Sequence, residues 1–404
     1  MSKVQIKIKE RLRSFLPPTS RAFDNQMQSL SREQRKQFRL LQKDISQINN
    51  KVADADIVKR SEAMMQATAN KLADQNSNLI EVISNTTNEI RLLKNDITTL
   101  NRKIANLESI IRMDVAFKDY EYYKNLKPCD YARALADWYE KRTDSKLDLT
   151  NPKTYNEKIQ WMKLYDRTPI KTKLADKYEV REWVSDHIGD EYLIPLLGVW
   201  NSFDEINFDE LPDQFVLKCT HGSSWNMVVT DKSALDYSLA KSNFDRWLSM
   251  NFAFYAGFEL QYKDIQPRIV AEQYLENDGT NLNDTKFWCF NSKPEYVQCV
   301  ADRSTGPRDA FFDPSWNRLP FITTHKRNPE EVPKPENLDK MLHIAEDLSQ
   351  GFHFVRVDLY ALNSGEIKFG EMTFTPTSGV CKWDPPEYNL IVGQRITLPN
   401  RSAI

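Results

Sequence analysis

The chain has 404 residues, 55 Lys and Arg against 57 Asp and Glu, and a formal net charge of −2. That balance excludes the basic profile of a general nucleic-acid binder, although it leaves room for a local phosphate site. The length suits two or three domains, and 40% hydrophobic with 28% charged residues fits a globular core joined to a solvated helical part. Cys129, Cys219, Cys289, Cys299 and Cys381 are scattered without CxxC pairing, which speaks against zinc and a disulfide framework and for a reducing, cytoplasmic setting.

Residues 1–26 form a basic segment in which Lys3, Lys7, Lys9, Arg11 and Arg13 alternate with Val4, Ile6, Ile8, Leu12 and Phe15. The charges interrupt any signal-peptide core, and no stretch of the chain reaches the roughly 18 apolar residues of a membrane span. Two readings stay open here: a short interfacial helix giving peripheral membrane contact, or a tail ahead of Pro17-Pro18.

Residues 27–112 contain neither Pro nor Gly, so a long helix is permitted. Ile83, Ile90, Ile97, Ile104 and Ile111 recur at heptad spacing, with Leu79, Leu93, Leu100 and Leu107 on the companion positions and Thr86 interrupting. Ile at a with Leu at d predicts a parallel coiled coil and hence a homo-oligomer. A weaker seam (Phe38, Leu41, Ile45, Ile48, Val52) lies upstream, with a register break expected between the two. The alternative is an amphipathic helix folded back on the globular part.

Aromatics, Pro and Gly return after Met113. Residues 113–200 read as a helical region, with starts at Asn151-Pro152 and Thr168-Pro169. From about 201 to 400, short β-rich runs dominate: 215–218, 227–230, 268–275, 286–290, 296–299, 354–360 and 367–373, with one helix at 339–350. The expected class is α+β with a mostly antiparallel sheet.

Two clusters carry chemistry. The run Phe215-Val216-Leu217-Lys218 is a strand ending in a lysine, followed by the small-residue turn His221-Gly222-Ser223-Ser224. A lysine at a strand end and turn amides can meet phosphate oxygens, but Gly-Ser turns are common and no P-loop is present. The second cluster is a hairpin. Alternation places Arg356 and Asp358 on one face, with Val355, Val357 and Leu359 on the other. A turn at Asn363-Ser364-Gly365-Glu366 then returns a strand bearing Glu371 and Thr373. Two converging carboxylates suit Mg²⁺ beside phosphates; the plain alternative is solvated acids on a hairpin.

Lys218 with its turn, Glu272-Gln273-Tyr274-Leu275 and the Arg356/Asp358…Glu371/Thr373 hairpin follow the order of ATP-grasp ligases of the D-alanine–D-alanine ligase type. The strings Asn151-Pro152-Lys153-Thr154-Tyr155-Asn156-Glu157-Lys158, Leu174-Ala175-Asp176-Lys177-Tyr178, Val355-Arg356-Val357-Asp358 and Phe369-Gly370-Glu371-Met372-Thr373-Phe374-Thr375-Pro376 resemble the TupA-like ATP-grasp family of bacterial surface-polysaccharide and teichuronopeptide biosynthesis. The resemblance covers the last 250 or so residues and excludes the heptad region. It implies an ATP-grasp domain, ATP and Mg²⁺ as cofactors, and a carboxylate–amine ligase acting through an acyl phosphate, with a glycopolymer precursor among its substrates.

The resemblance also implies residue roles. Lys177 and Lys218 would reach ATP phosphates under the loop His221-Gly222-Ser223-Ser224. Glu272, Gln273, Tyr274 and Leu275 would form the adenine hinge, with Glu276 on the ribose. Asp284 and Lys286 would support the triphosphate, and Asp358, Glu371 and Thr373 would bind Mg²⁺. Arg356 would face the acyl phosphate; apart from the resemblance, Arg303 joins Arg356 and Lys286 as a catalytic candidate from its place in the loop after a predicted strand. Thr373 departs from the Asn common at that position, which bears on whether one or two Mg²⁺ ions bind. Asp302, Arg303 and Arg308 read equally as an anion site or a surface loop. His187, His325, His343 and His353 show no partner pattern. A kinase on the same fold, and a nucleotide-binding scaffold without catalysis, are the competing readings.

Overall fold

The computed structural model describes residues 60, 63–64, 91, 119–275, 283–301, 307–328 and 331–399. The heptad and basic-segment expectations, and those for Glu276, Asp302 and Arg303, lie outside these. Residues 114–404 form one compact unit. No described helix is long and apolar enough to cross a membrane.

After a helical stretch at 119–124 come the helices α1 (Tyr131–Thr143), α2 (Tyr155–Tyr165), α3 (Pro169–Ala175) and α4 (Val180–Ile188). A capping box starts α2. Thr154 Oγ1 accepts from the Glu157 amide at 3.2 Å, and Glu157 Oε2 accepts from the Thr154 amide at 2.9 Å. Two otherwise orphaned donors are satisfied at once. Pro169 begins α3, where a missing N–H costs nothing.

The helical reading of the region up to residue 200 needs one correction. Residues Leu196–Trp200 are a strand, β1, joined by β2 (Phe215–Cys219), β3 (Asn226–Val229) and β4 (Ile269–Gln273) in an antiparallel sheet of order β1-β4-β2-β3. Its five residues are all half-buried, so it lacks the alternation that identifies a strand from sequence. Along β2 burial does alternate. Phe215, Leu217 and Cys219 enter the first core, leaving Val216 and Lys218 on the opposite face. Between β3 and β4 lie two further helices, α5 (Tyr237–Leu248) and α6 (Phe252–Tyr255), which the strand-dominated expectation had passed over. The Asp236 carboxylate caps α5 through the Leu239 amide at 3.0 Å.

The second sheet is built from β5 (Asn283–Phe290), β6 (Lys293–Ala301), β7 (Arg308–Phe312), β9 (Lys326–Arg327), β10 (Phe354–Ala361) and β11 (Ile367–Thr373), in the order β11-β10-β5-β6-β7-β9. Only β7–β9 is parallel. The short β8 (Ile322–Thr323) pairs with β12 (Trp383–Asp384). Arg308 therefore begins a strand rather than lying in a loop.

One face of this sheet packs under α7 (Leu338–Leu348), whose Leu338, Met341, Ile344, Ala345 and Leu348 meet Phe287, Cys289, Val355, Val357 and Leu359. Fully burying each large side chain contributes roughly 1.5–3 kcal/mol. On the other face, Trp288, Phe290 and Phe354 pack against Tyr155, Ile159 and Met162 of α2. That face also carries the charged residues of the site.

Candidate active site

The β10–β11 hairpin pairs Arg356 with Thr373 and Asp358 with Glu371, and β5 sets Lys286 beside Asp358. A bulge follows Asp358, where Gly370 lets the strands close. A Cβ at Gly370 would sit 3.0 Å from the Asp358 carbonyl oxygen and 3.2 Å from the Tyr360 ring. Glycine thus permits the approach that brings the two carboxylates together.

Their partners are cations. Arg356 Nε and Nη2 donate to Asp358 Oδ1 and Oδ2 at 2.6 and 2.7 Å, a bidentate fork, and Nη2 also reaches Glu371 Oε1 at 3.2 Å and Thr373 Oγ1 at 3.1 Å. Lys286 Nζ bridges Asp358 Oδ2 at 2.5 Å and Asp284 Oδ2 at 2.6 Å. Burial pushes the Asp358 carboxyl up, with Arg356 and Lys286 opposing. Burial acts on Glu371 in the same sense, but Lys177, Arg356 and Lys286 outweigh it and hold that carboxyl at about 2. Burial also pulls down on Arg356, and Asp358 and Glu371 more than compensate.

Across the cleft, the first sheet presents Lys218 and Glu272, joined at 2.5 Å, with Arg181 of α4 at 3.6 Å from the other Glu272 oxygen. Lys177 follows α3. The Asp176 carboxylate accepts from the Tyr178 amide at 2.8 Å and from Arg268 at 2.9 Å, fixing the turn that aims Lys177 inward. Lys177 Nζ donates to the Gly222 carbonyl, tying it to the loop after β2. Burial lowers the Lys177 pKa, with Glu371 opposing. Lys177, Lys218, Arg181, Glu272, Tyr262 and Glu371 line one narrow cleft of about 20 Å³.

A roomier cavity of about 280 Å³ adjoins it, lined by Lys286, Trp288, Gln298, Thr323, His325, Arg356 and Thr377 among others. Gln298 accepts from Trp288 Nε1 at 3.0 Å and donates to buried Asp309 at 3.0 Å, so its wall is a connected polar network. Lys286 and Arg356 line this cavity, and Arg356 links it to the cleft through Glu371 at 3.2 Å.

Several expectations need correction. The His221 ring points into the core, bonded to the Trp247 carbonyl at 3.0 Å and edge-on to Trp225, rather than toward phosphate. Gly222 has a packing reason of its own, since a Cβ there would lie 2.5 Å from the Trp225 ring. Ser223 and Ser224 remain at the loop surface. In the hinge, Glu272 alone lines the cleft; Gln273 is exposed, and its amide is taken by the Pro195 carbonyl at 3.0 Å. Tyr274 and Leu275 are half-buried beyond the strand. Sequence reasoning missed Arg181, Tyr262, Gln298 and Thr377, and gave His325 no role. None of these stands in a local pattern.

The described residues contain no group of three or more His, Cys, Asp or Glu able to hold a metal alone. Two carboxylates and a hydroxyl form a hard oxygen set. Such a set suits Mg²⁺, which shares its shell with phosphate and water. The residues fit that ion, provided Arg356 and Lys286 yield carboxylate lone pairs to it.

An antiparallel sheet and a mostly antiparallel one flanking a cleft, with lysines on one side and a carboxylate hairpin on the other, define an ATP-grasp protein. The family model TupA-like ATPgrasp matches residues 157–397, more than half the chain, and the chain belongs to that family. No curated protein sequence matches it. Among solved structures it is similar to D-alanine–D-alanine ligase from Bacillus anthracis complexed with ATP (15% identity, TM-score 0.30, covering 50% of this chain and 55% of that one). It is also similar to the ATP-grasp ligase PsnB complexed with minimal precursor, Mg and ADP (13%, 0.29, 51% and 52%) and to the D-cycloserine synthetase DcsG (14%, 0.32, 57% and 72%). The chain thus spans little more than half the length of the first two. Similarity this low leaves residue roles to the geometry of the site itself.

Proposed function

We propose that this protein is an ATP- and Mg²⁺-dependent carboxylate–amine ligase working through an acyl phosphate. The observation that supports this most is that Lys177, Lys218 and Glu371 line one cleft, with Asp358 paired to Glu371 across the hairpin and Arg356 bonded to it at 3.2 Å. ATP supplies the phosphoryl group that activates the carboxylate, and Mg²⁺ offsets its charge. Lys177 and Lys218 meet phosphate charge, and Asp358, Glu371 and Thr373 offer the metal its oxygens. The carboxylate substrate occupies the second cavity, which Arg356 and Lys286 line. There a fixed guanidinium stabilises charge developing on the activated carboxyl. The amine then attacks the acyl carbon and phosphate departs.

The family resemblance further supports a role in cell-surface polysaccharide biosynthesis, with a sugar acid or amino acid joined to a glycopolymer precursor. Hydroxylamine trapping with ATP, Mg²⁺ and a panel of uronic and amino acids tests the chemistry. A ligase yields an acyl hydroxamate with at least one of them; a phosphorylated hydroxyl and no hydroxamate would make the protein a kinase.

The heptads of residues 27–112 support a coiled-coil oligomer, with the basic segment 1–26 as a membrane contact. Deleting residues 1–112 is expected to reduce the solution mass to that of a monomer while Mg·ATP binding persists. A truncated protein that keeps the full-length oligomeric state rules the coiled coil out as the oligomerisation element.

A further inference from the structure

The most heavily buried polar cluster outside the cleft is on α2. Asn156, Gln160 and Lys163 lie on one helical face and are 3%, 0% and 1% exposed. All three reach the loop that follows β11. Asn156 Nδ2 donates to the Cys381 carbonyl at 3.0 Å, and its Oδ1 accepts from the Cys381 amide at 3.2 Å. Gln160 Nε2 donates to the Ser378 and Gly379 carbonyls at 3.0 and 2.7 Å. Lys163 Nζ donates to the Ser378 carbonyl and to Ser378 Oγ, both at 2.7 Å.

That loop needs holding. Thr377, Ser378 and Gly379 have φ of 51°, 51° and 66°, three successive left-handed residues of which only the glycine adopts the conformation freely. The neighbouring Thr377 lines the second cavity.

Lys163 does one thing more: its third bond goes to the Gly257 carbonyl at 2.9 Å. Gly257 begins the segment that ends in Tyr262, a wall of the nucleotide cleft. The same two segments meet again where Gln261 donates to Thr375 Oγ1 at 2.8 Å, Thr375 to Glu259, and Ser378 to the Ala256 carbonyl. Burying an ammonium is costly, and an apolar side chain would fill the position without that cost. The lysine is therefore accounted for by what it joins.

We propose that Lys163, backed by Gln160 and Asn156, is a positioning residue that ties the wall of the nucleotide cleft to the wall of the second cavity, so that occupancy of one is felt in the other. This rests on the reading that the cleft takes nucleotide. No change at the reacting atoms is required, because Lys163 lines neither space.

The test is hydrogen exchange of residues 375–381 in the full-length protein, with and without Mg²⁺ and a non-hydrolysable ATP analogue. In the wild type, the analogue is expected to slow exchange there several-fold. In Lys163→Met and in the milder Gln160→Met and Ser378→Ala, that nucleotide-dependent slowing should shrink or vanish, while calorimetric affinity for the analogue stays within about threefold. A purely structural role would raise exchange in all states and leave the slowing intact. Slowing that survives in every folded variant, or is absent from a wild type that binds the analogue, overturns the proposal. A wild type that does not bind the analogue at all refutes the nucleotide reading instead.

Discussion

Arg356→Met is expected to lower unfolding free energy by about 3–5 kcal/mol and hydroxamate formation by about 10²- to 10³-fold. The guanidinium makes four bonds, two to Asp358 and one each to Glu371 and Thr373. Removing it leaves the buried Asp358 carboxylate and the half-buried Glu371 with only the lysines as counter-charges, and a poorly compensated buried charge is the costly outcome. Arg356→Lys should recover part of the stability and little of the rate, because an ammonium cannot reproduce the bidentate fork. Denaturant unfolding and the trapping assay measure the two effects separately. A Met variant as stable and as active as wild type would show that Arg356 is neither counter-ion nor charge stabiliser.

The hairpin that holds this arginine was legible in the sequence because its first strand alternates apolar and polar residues. Val355, Val357 and Leu359 had to face a core, so Arg356 and Asp358 had to face away. The bulge after Asp358 was not legible from that period, although Gly370 marks the place. Helix α5 was legible in principle. Ala240, Phe244 and Trp247 recur at helical spacing behind the Asp236 cap, although Ser238, Ser242 and Asn243 dilute the signal.

His221 misled because a Gly-Ser turn reads as solvent-facing, whereas the chain stays buried for three residues past Cys219. The second cavity lay beyond local reasoning. Trp288, Gln298, His325, Arg356 and Thr377 are distant in sequence and meet only through strand order. The same holds for Lys163, which on a helix reads as one more polar-face lysine until its acceptors on two remote loops are known.

Lys177→Ala and Lys218→Ala are each expected to weaken Mg·ATP binding about 10- to 100-fold, the worth of one charge-assisted hydrogen bond to phosphate in a buried site. Lys218 is now paired with Glu272 and Lys177 with the Gly222 carbonyl, so both must exchange a protein acceptor for phosphate. That exchange tempers the loss and sets its upper limit. Metal and nucleotide should also depend on each other. Asp358 and Glu371 are occupied by Arg356 and Lys286, which are drawn away only when phosphate offers them an alternative. Mg²⁺ alone should therefore bind weakly, and Glu371→Ala should abolish the effect of Mg²⁺ on ATP affinity.

The most direct measurement is calorimetric titration of the full-length wild type with ATP, in the presence and absence of Mg²⁺. The geometry of the cleft predicts saturable 1:1 binding that requires Mg²⁺ and is lost or greatly weakened in Lys218→Ala. A folded wild type that binds no ATP under either condition would contradict the nucleotide site, and the ligase mechanism with it.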